Sequence, residues 1–308
     1  MSRIDLCDVR CNTAPMTDWD NFRFILALNR AGTLRGAAQQ LGVNHSTVSR
    51  RLAQLNKQSG EPVFERVAGG YRITQAGAPL LAAAEQIETV ALSAGRQQKA
   101  RGAELSGPIT LSLPNALGQF LLLDDLHVFC QRHPGIELEI NTSYAFADLD
   151  RSEADIVVRG TDKPPEHLVG RRLFPYYLAH YCRAGYLAET EPKDRRWIVA
   201  PGPTFVPDWV ANSPFPEAPV GVSMEDVTMR HHAVMAGHGM GLGACFIEDQ
   251  MPEMERIKGS VPFGRHDLWV LTHPDLRDTP RIKALMRHLV DAITAKRDLI
   301  VGKQPRYS

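Results

Sequence analysis

The chain has 308 residues, enough for more than one hydrophobic core, and is formally neutral, with 35 Lys and Arg against 35 Asp and Glu. Its five cysteines are too few and too scattered for a disulfide-built fold. No apolar run approaches membrane-spanning length and no secretory leader is seen, so a soluble, cytoplasmic protein is expected.

Neutrality here is the sum of two opposite parts. Residues 17–103 hold 11 Lys and Arg against 6 Asp and Glu, whereas residues 104–308 hold 22 against 27. A basic head suits a polyanion, and an acidic remainder is held off it. Residues 1–15, with Cys7 and Cys11, are expected to be a disordered extension ahead of a pattern that begins near Met16. The spacing of Leu34, Ala37, Ala38 and Leu41 predicts a helix over Thr33–Leu41. Gly42 supplies a left-handed break, and Asn44 is a suitable N-cap for a second helix over His45–Gln58. That helix would bury Val48, Leu52 and Leu55. It would expose His45, Ser46, Thr47, Ser49, Arg50 and Arg51, hydroxyls and guanidinia that suit base edges and phosphates in a major groove. An ordinary helical hairpin with a solvated face is the plainer reading of this stretch alone. The continuation argues against it. Val63-Phe64 begins a strand, Gly69-Gly70 turns it and Tyr71–Ile73 returns it, giving a wing able to place Arg66 and Arg72 on the backbone or in the minor groove.

These residues carry a resemblance. The run AGTLRGAAQQLGVNHSTVSRRLAQL, then PVFER and ITQAG, resembles the N-terminal winged helix-turn-helix of LysR-type transcriptional regulators, and the likeness runs from about Met16 to Ile300. It implies a first helix over Trp19–Arg30 with Trp19, Phe22, Ile25 and Leu26 in the core. Where many members carry Gln-Pro-Ala at the start of the recognition helix, this chain has His45-Ser46-Thr47.

From Thr74 to about Arg101 the chain reads as one long helix, with Pro79 early enough to be tolerated. Leu80, Ala84, Ile87, Ala91 and Ala94 form its apolar stripe. That stripe either packs within the chain or, as the resemblance implies, pairs two chains antiparallel. The pair would set two recognition helices on an interrupted inverted repeat of duplex DNA. Gly102 and Gly107-Pro108 mark a hinge.

Beyond it, short apolar runs alternate with helical stretches. Ile109–Leu113, Ile136–Ile140, Ala154–Val158, Leu178–Cys182, Trp197–Ala200, Ala244–Ile247 and Leu268–Thr272 read as strands. Leu117–Gln131, Val227–Met235 and Arg281–Ala295 read as helices, so α/β layers with mainly parallel strands are expected. The stretches PGIELEI, EADIVVR, VMAGHGMGLG and LWVLTHPDLRDTPRI resemble the LysR effector domain, which implies a two-lobed, periplasmic-binding-protein-like architecture. The organisation expected is therefore a winged helix-turn-helix over 16–73, a linker and dimerisation helix over 74–103, an effector domain over 104–300, and a tail over 301–308. Lobe I would take 108–175 and 268–300, and lobe II 176–266. Ligands of such sheets sit beyond strand carboxyl ends near helix N-termini. Pro114, Asn115, Ala116, Ser143, Tyr144, Arg159, Thr204 and Phe205 are the candidates for touching a small organic effector. Asn115 capping its helix and Arg159 pairing with an acid stay open as alternatives.

Other motifs carry less. Gly239, Gly241 and Gly243 follow a helix and lack a downstream acid, which argues against a dinucleotide loop. His231, His232 and His238 lack metal-ligand company, so no metal or cofactor is expected. Cys130, Cys182 and Cys245 read as reduced core thiols, with a redox switch as the lesser alternative. No nucleophile–base pair suggests catalysis. The function expected is transcription regulation, not enzymatic, modulated by an effector between the lobes, in a homodimer that the resemblance extends to a homotetramer bending its DNA. RNA polymerase is left open as a partner. A solute-binding or enzymatic module with an accessory DNA-binding head is the alternative, and an architectural DNA-binding protein a further one.

Overall fold

The computed structural model describes residues 19–100, 105–142 and 153–304. The extension over 1–15, Gly102, Ser143 and Tyr144 lie outside the described residues, as do Ser308 and its three neighbours in the tail. The chain divides into two compact units between Ala94 and Gly95.

In the first unit, α1 (Asp20–Ala31), α2 (Leu34–Leu41) and α3 (His45–Ser59) precede a hairpin of β1 (Phe64–Val67) and β2 (Gly70–Ile73). Helix α4 (Ala78–Ala100) follows. Each break has a local cause. Thr33 caps α2, its side chain accepting from the Gly36 N–H at 3.1 Å. Gly42 ends α2 in the left-handed conformation at φ 65°. Asn44 occupies the N-cap of α3, but its side chain makes no capping bond; its backbone carbonyl accepts from the Thr47 N–H at 2.9 Å instead. Ala37, Ala38, Val48, Leu52 and Leu55 are buried together with Ile25 and Leu28 of α1 and Val63 and Phe64 of the wing. Trp19 departs from expectation. It is 65% exposed because it sits in the turn before α1, off the helix's inner face, where its ring centre lies 6.1 Å from that of Phe22.

The second unit is a single sheet flanked by helices. Its strands are β3 (Gly107–Leu113), β4 (Ile136–Thr142), β5 (Ile156–Gly160), β6 (Val169–Arg183), β7 (Trp197–Val199), β8 (Val220–Ser223), β9 (Met240–Ala244), β10 (Met254–Arg256) and β11 (Phe263–Thr272). Their order is β4-β3-β5-β11-β6-β9-β7-β8, with β10 beside β6. The sheet is mixed, correcting the expectation of mainly parallel strands. β3 is parallel to β4 and β5, and β7 to β8 and β9, while β11 and β6 run antiparallel to their neighbours. The reason is the length of β6 and β11, which run from one half of the sheet into the other. Leu173 and Tyr176 of β6 pack on the core of Leu111, Ile156, Val270 and the inner face of α10 (Pro280–Ala295). Ala179 and Tyr181, a few residues on, pack with Ile198 and Val234 in a second core.

Two further expectations are corrected. The helix after β3 starts earlier and is not uniform: α5 (Asn115–Leu117) widens into a π turn over 118–122 before α6 (Leu123–Arg132). The strand expected at Ala244–Ile247 is the end of β9 followed by a helical turn, α9 (Cys245–Glu248). Helices α7 (Tyr186–Glu189), α8 (Val227–Met235) and α11 (Arg297–Ile300) complete the unit. A buried ion pair fastens its C-terminal end: Arg256 donates to Asp249 at 2.5 Å and to the Gly302 carbonyl at 3.0 Å, and the Tyr181 hydroxyl donates to Asp249 at 2.8 Å.

Candidate functional site

Burying Val48, Leu52 and Leu55 turns the opposite face of α3 outward. His45, Ser46, Ser49 and Arg50 are exposed and Thr47 is half-buried. Arg51 does not join them. Its guanidinium turns back to α1, 3.6 Å from Asp20, 3.5 Å from the Asn21 side-chain oxygen and 5.6 Å from the Phe24 ring centre. Arg51 follows the inner edge of the helix, so it fastens α3 to α1 and is removed from the DNA-facing set.

The wing is anchored at both ends. The Val63 N–H donates to the Asn56 side chain at 2.9 Å, and the Tyr71 N–H to the Gly32 carbonyl at 2.7 Å. Arg66 is exposed on β1. Arg72 lies across the hairpin from Glu65, donating to it at 2.7 Å, so the wing presents Arg72 with part of its charge already answered. Along α4, Leu80, Leu81 and Ala84 pack on the helix-turn-helix core, and Arg30 of α1 pairs with Glu88 at 2.8 Å. Further along, Val90 is 69% exposed and Ala91 and Ala94 are exposed. The stripe thus serves two purposes, packing inward at its start and open at its end.

In the second unit a cavity of about 590 Å³ opens between the two halves of the sheet, over β6 and β11. Its volume suits a small ligand. Pro114 and Ala116 line it, as expected, and so does Arg159 at the end of β5. Arg159 is 2% exposed, donating to the Ser112 hydroxyl at 3.0 Å and the Val158 carbonyl at 2.9 Å, and burial holds its pKa down to about 10. Asn115 neither lines the cavity nor caps its helix; its amide donates to the Thr228 hydroxyl of α8 at 3.4 Å, joining the two halves. Thr204 and Phe205 also fail as lining residues. The Thr204 hydroxyl donates to the Val206 carbonyl at 2.9 Å, Phe205 is 62% exposed, and Thr204 faces a separate shallow groove near Pro207.

The glycine run has a role that its spacing conceals. Gly241 and Gly243 lie in β9, where a Cβ would come within 2.7 Å of Val234 and 2.5 Å of Glu248. Glycine therefore lets α8 and α9 close on the strand, with both glycines in the cavity wall. This seats the lining pair His231 and Glu248, buried and 2.9 Å apart, with burial pushing the Glu248 carboxyl up. The π turn brings Phe120 edge-on to His231, ring centres 5.1 Å apart. Tyr176, Arg230, His231, Glu248 and Arg265 are lining residues that sequence reasoning missed. The adjacent His231-His232 and the glycines were the available signal, and only the fold relates them.

A family model described as "LysR substrate binding domain" matches residues 102–294, more than half of the chain, and "Bacterial regulatory helix-turn-helix protein, lysR family" matches residues 19–78. The chain belongs to the LysR family of transcriptional regulators. It is 25% identical over 283 residues to the Mau operon transcriptional activator of Paracoccus denitrificans, covering 89% of this chain and 96% of that one. It is 26% identical to the dual regulator OxyR of Escherichia coli over 166 residues, about half of each chain (52% and 54%). Among solved structures, the LysR-type regulator CrgA of Neisseria meningitidis matches 88% of this chain and 97% of its own at TM-score 0.54 and 18% identity. The full-length regulator LysG of Corynebacterium glutamicum matches 90% and 98% at TM-score 0.50 and 17% identity. The LysR fold is as expected: a helix-turn-helix unit plus an α/β effector-binding unit. Its relatives are regulators, which sets aside the enzymatic alternative. No described helix is long and apolar enough to cross a membrane.

Proposed function

We propose that this LysR-type regulator reads an interrupted inverted repeat as a homodimer. His45, Ser46, Thr47, Ser49 and Arg50 would meet base or groove edges, and Arg66 and Arg72 the backbone or minor groove. The observation that carries the reading is α3 itself, whose apolar residues are buried while its N-terminal half offers hydroxyls, an imidazole and a guanidinium outward. The exposed end of the α4 stripe at Val90, Ala91 and Ala94 supports pairing through that helix, and two such dimers would assemble into a tetramer. The cavity in the second unit supports a small effector that biases the regulator by binding its arrangements unequally. The solved LysG structure is described with its effector Arg bound.

Mapping bound sites across the genome, then titrating a recovered fragment in gel shifts, tests the DNA half. Arg50→Ala is expected to weaken binding to that fragment by about 1–3 kcal/mol and relax selectivity at one base. Unchanged binding and selectivity remove Arg50 from the reading face. A chain that retains no mapped fragment at low salt refutes the proposal.

A further inference from the structure

We propose that the cavity takes a small monocarboxylate with an apolar body, its carboxylate received by Arg159, Arg265 and Tyr176 and its uncharged end turned toward Glu248. This rests on the effector reading above and adds the chemistry of the ligand.

Arg159 is a guanidinium buried in the cavity wall, and the Ser112 hydroxyl and Val158 carbonyl hold its orientation. Tyr176 and Arg265 line the same cavity. Among the described residues the Tyr176 hydroxyl makes no hydrogen bond and the Arg265 guanidinium no hydrogen bond or ion pair. They lie close enough for the Arg265 charge to draw the Tyr176 phenol down against the upward push of burial. A half-buried phenol donor and a cation left open among the described residues share the cavity wall with an oriented buried cation, a set suited to one anion, and bonds to a charged acceptor are the strong ones.

The rest of the wall selects the body. Leu117, Leu178, Ile198, Val227, Phe246 and Phe263 offer no hydrogen-bonding side chains, so the bulk of the ligand is apolar. The acid in that wall, Glu248, is nearly inaccessible and bonded to His231. A second carboxylate reaching it would be stripped of water beside carboxyl oxygens already turned to His231, which selects against diacids. A ligand ammonium at the receiving end would face two guanidinia, which selects against amines.

The test is calorimetric titration of the full chain with phenylacetate and 4-methylpentanoate. The comparison compounds are their primary amides, the matching amines, and 1,4-phenylenediacetate as the diacid. The acids are expected to bind about tenfold or more tightly than the amides, since each lost bond to a charged group costs about 1.5 kcal/mol or more. Arg265 is exposed and, among the described residues, unpartnered, so Arg265→Ala should fold normally, keep its melting temperature and weaken acid binding by about tenfold. Tyr176→Phe should weaken it less, and Glu248→Gln should narrow the gap between the diacid and the monoacids. Amides or amines that bind as tightly as the acids overturn the charge assignment while leaving the cavity as the effector site. So does Arg265→Ala with full acid affinity. If no compound gives heat or raises the melting temperature, the effector reading falls with the proposal.

Discussion

Gly70→Ala should loosen the wing from the helix-turn-helix although its backbone needs no glycine dihedral. A Cβ at Gly70 would lie 2.0 Å from the Gly32 carbonyl oxygen, where tolerable contacts begin at 3.0 Å. The β2 strand must therefore back away by about 1 Å, and the Tyr71 N–H donating to that same oxygen at 2.7 Å moves with it. Losing the bond costs about 1 kcal/mol and relieving the overlap about 1–3 kcal/mol more, together about 2–4 kcal/mol. For a unit of this size that is a fall in melting temperature of roughly 8 °C or more. Gly69 supplies the control. Its φ is +92° with nothing within 4 Å of an added Cβ, so Gly69→Asn, a residue that tolerates left-handed backbone, should cost far less. Differential scanning calorimetry of both variants, with gel shifts alongside, reads the difference. Because Arg66 and Arg72 ride on the displaced hairpin, Gly70→Ala should also weaken operator binding. Equal melting temperatures for the two variants would refute the close-approach argument.

Arg256→Met leaves Asp249 buried against Tyr181 without its cation and should cost about 3–5 kcal/mol in urea unfolding, while Arg256→Met with Asp249→Leu should recover much of it; a single variant as stable as the parent would contradict this. His180 lies between the rings of Trp197 and Trp209, bonded to Ser260, and burial holds its pKa near 4. As pH falls from about 6.5 toward 4 the unfolded chain takes up a proton that the folded one refuses, so stability is full above that window and declines through it. His180→Phe should flatten the decline in melting scans between pH 7.5 and 5, and an unaltered slope would assign it to other groups. Burial pushes both the Cys182 and Cys245 thiols up, the latter to about 11, so iodoacetamide at pH 8 should label them only after denaturation; rapid labelling in the folded chain would reopen the redox-switch alternative.

Local chemistry explains what was legible. The turn at Gly42, the buried face Val48-Leu52-Leu55, the Gly69-Gly70 hairpin and α8 all follow from spacing and turn residues within a few positions. Long-range pairing explains the misses. Leu178–Cys182 looked like a short strand because its alternation is local, whereas β6 runs to fifteen residues by pairing with β11 first and β9 after. Arg51 has the composition of its DNA-facing neighbours, but Asp20, which turns it inward, comes from another helix. Phe205 follows a lobe II strand as a ligand residue would, yet the segment turns it outward to solvent. Glu248 gave no sign at all, since its importance depends on Gly243 lacking a Cβ and His231 arriving from α8.

The cavity's position suggests how a ligand could matter beyond occupying space. Its walls come from both halves of the sheet, which share β6 and β11 and are bridged by the Asn115–Thr228 bond at 3.4 Å. That bond is long and neutral, worth about 1 kcal/mol at most, so separating the halves there is cheap. A ligand gripping Arg159 from one half and Val227 from the other adds its own binding energy to whichever spacing fits it. It can shift the balance only by the difference between its affinities for the two spacings, typically about 1–3 kcal/mol. A weak native bridge and a two-sided grip allow that difference to decide the outcome. Replacing the bridge by Asn115→Ala should therefore alter the effector's apparent affinity while leaving DNA binding of the ligand-free chain nearly unchanged. If effector affinity and transcriptional response both stay as they were, the bridge has no part in the response.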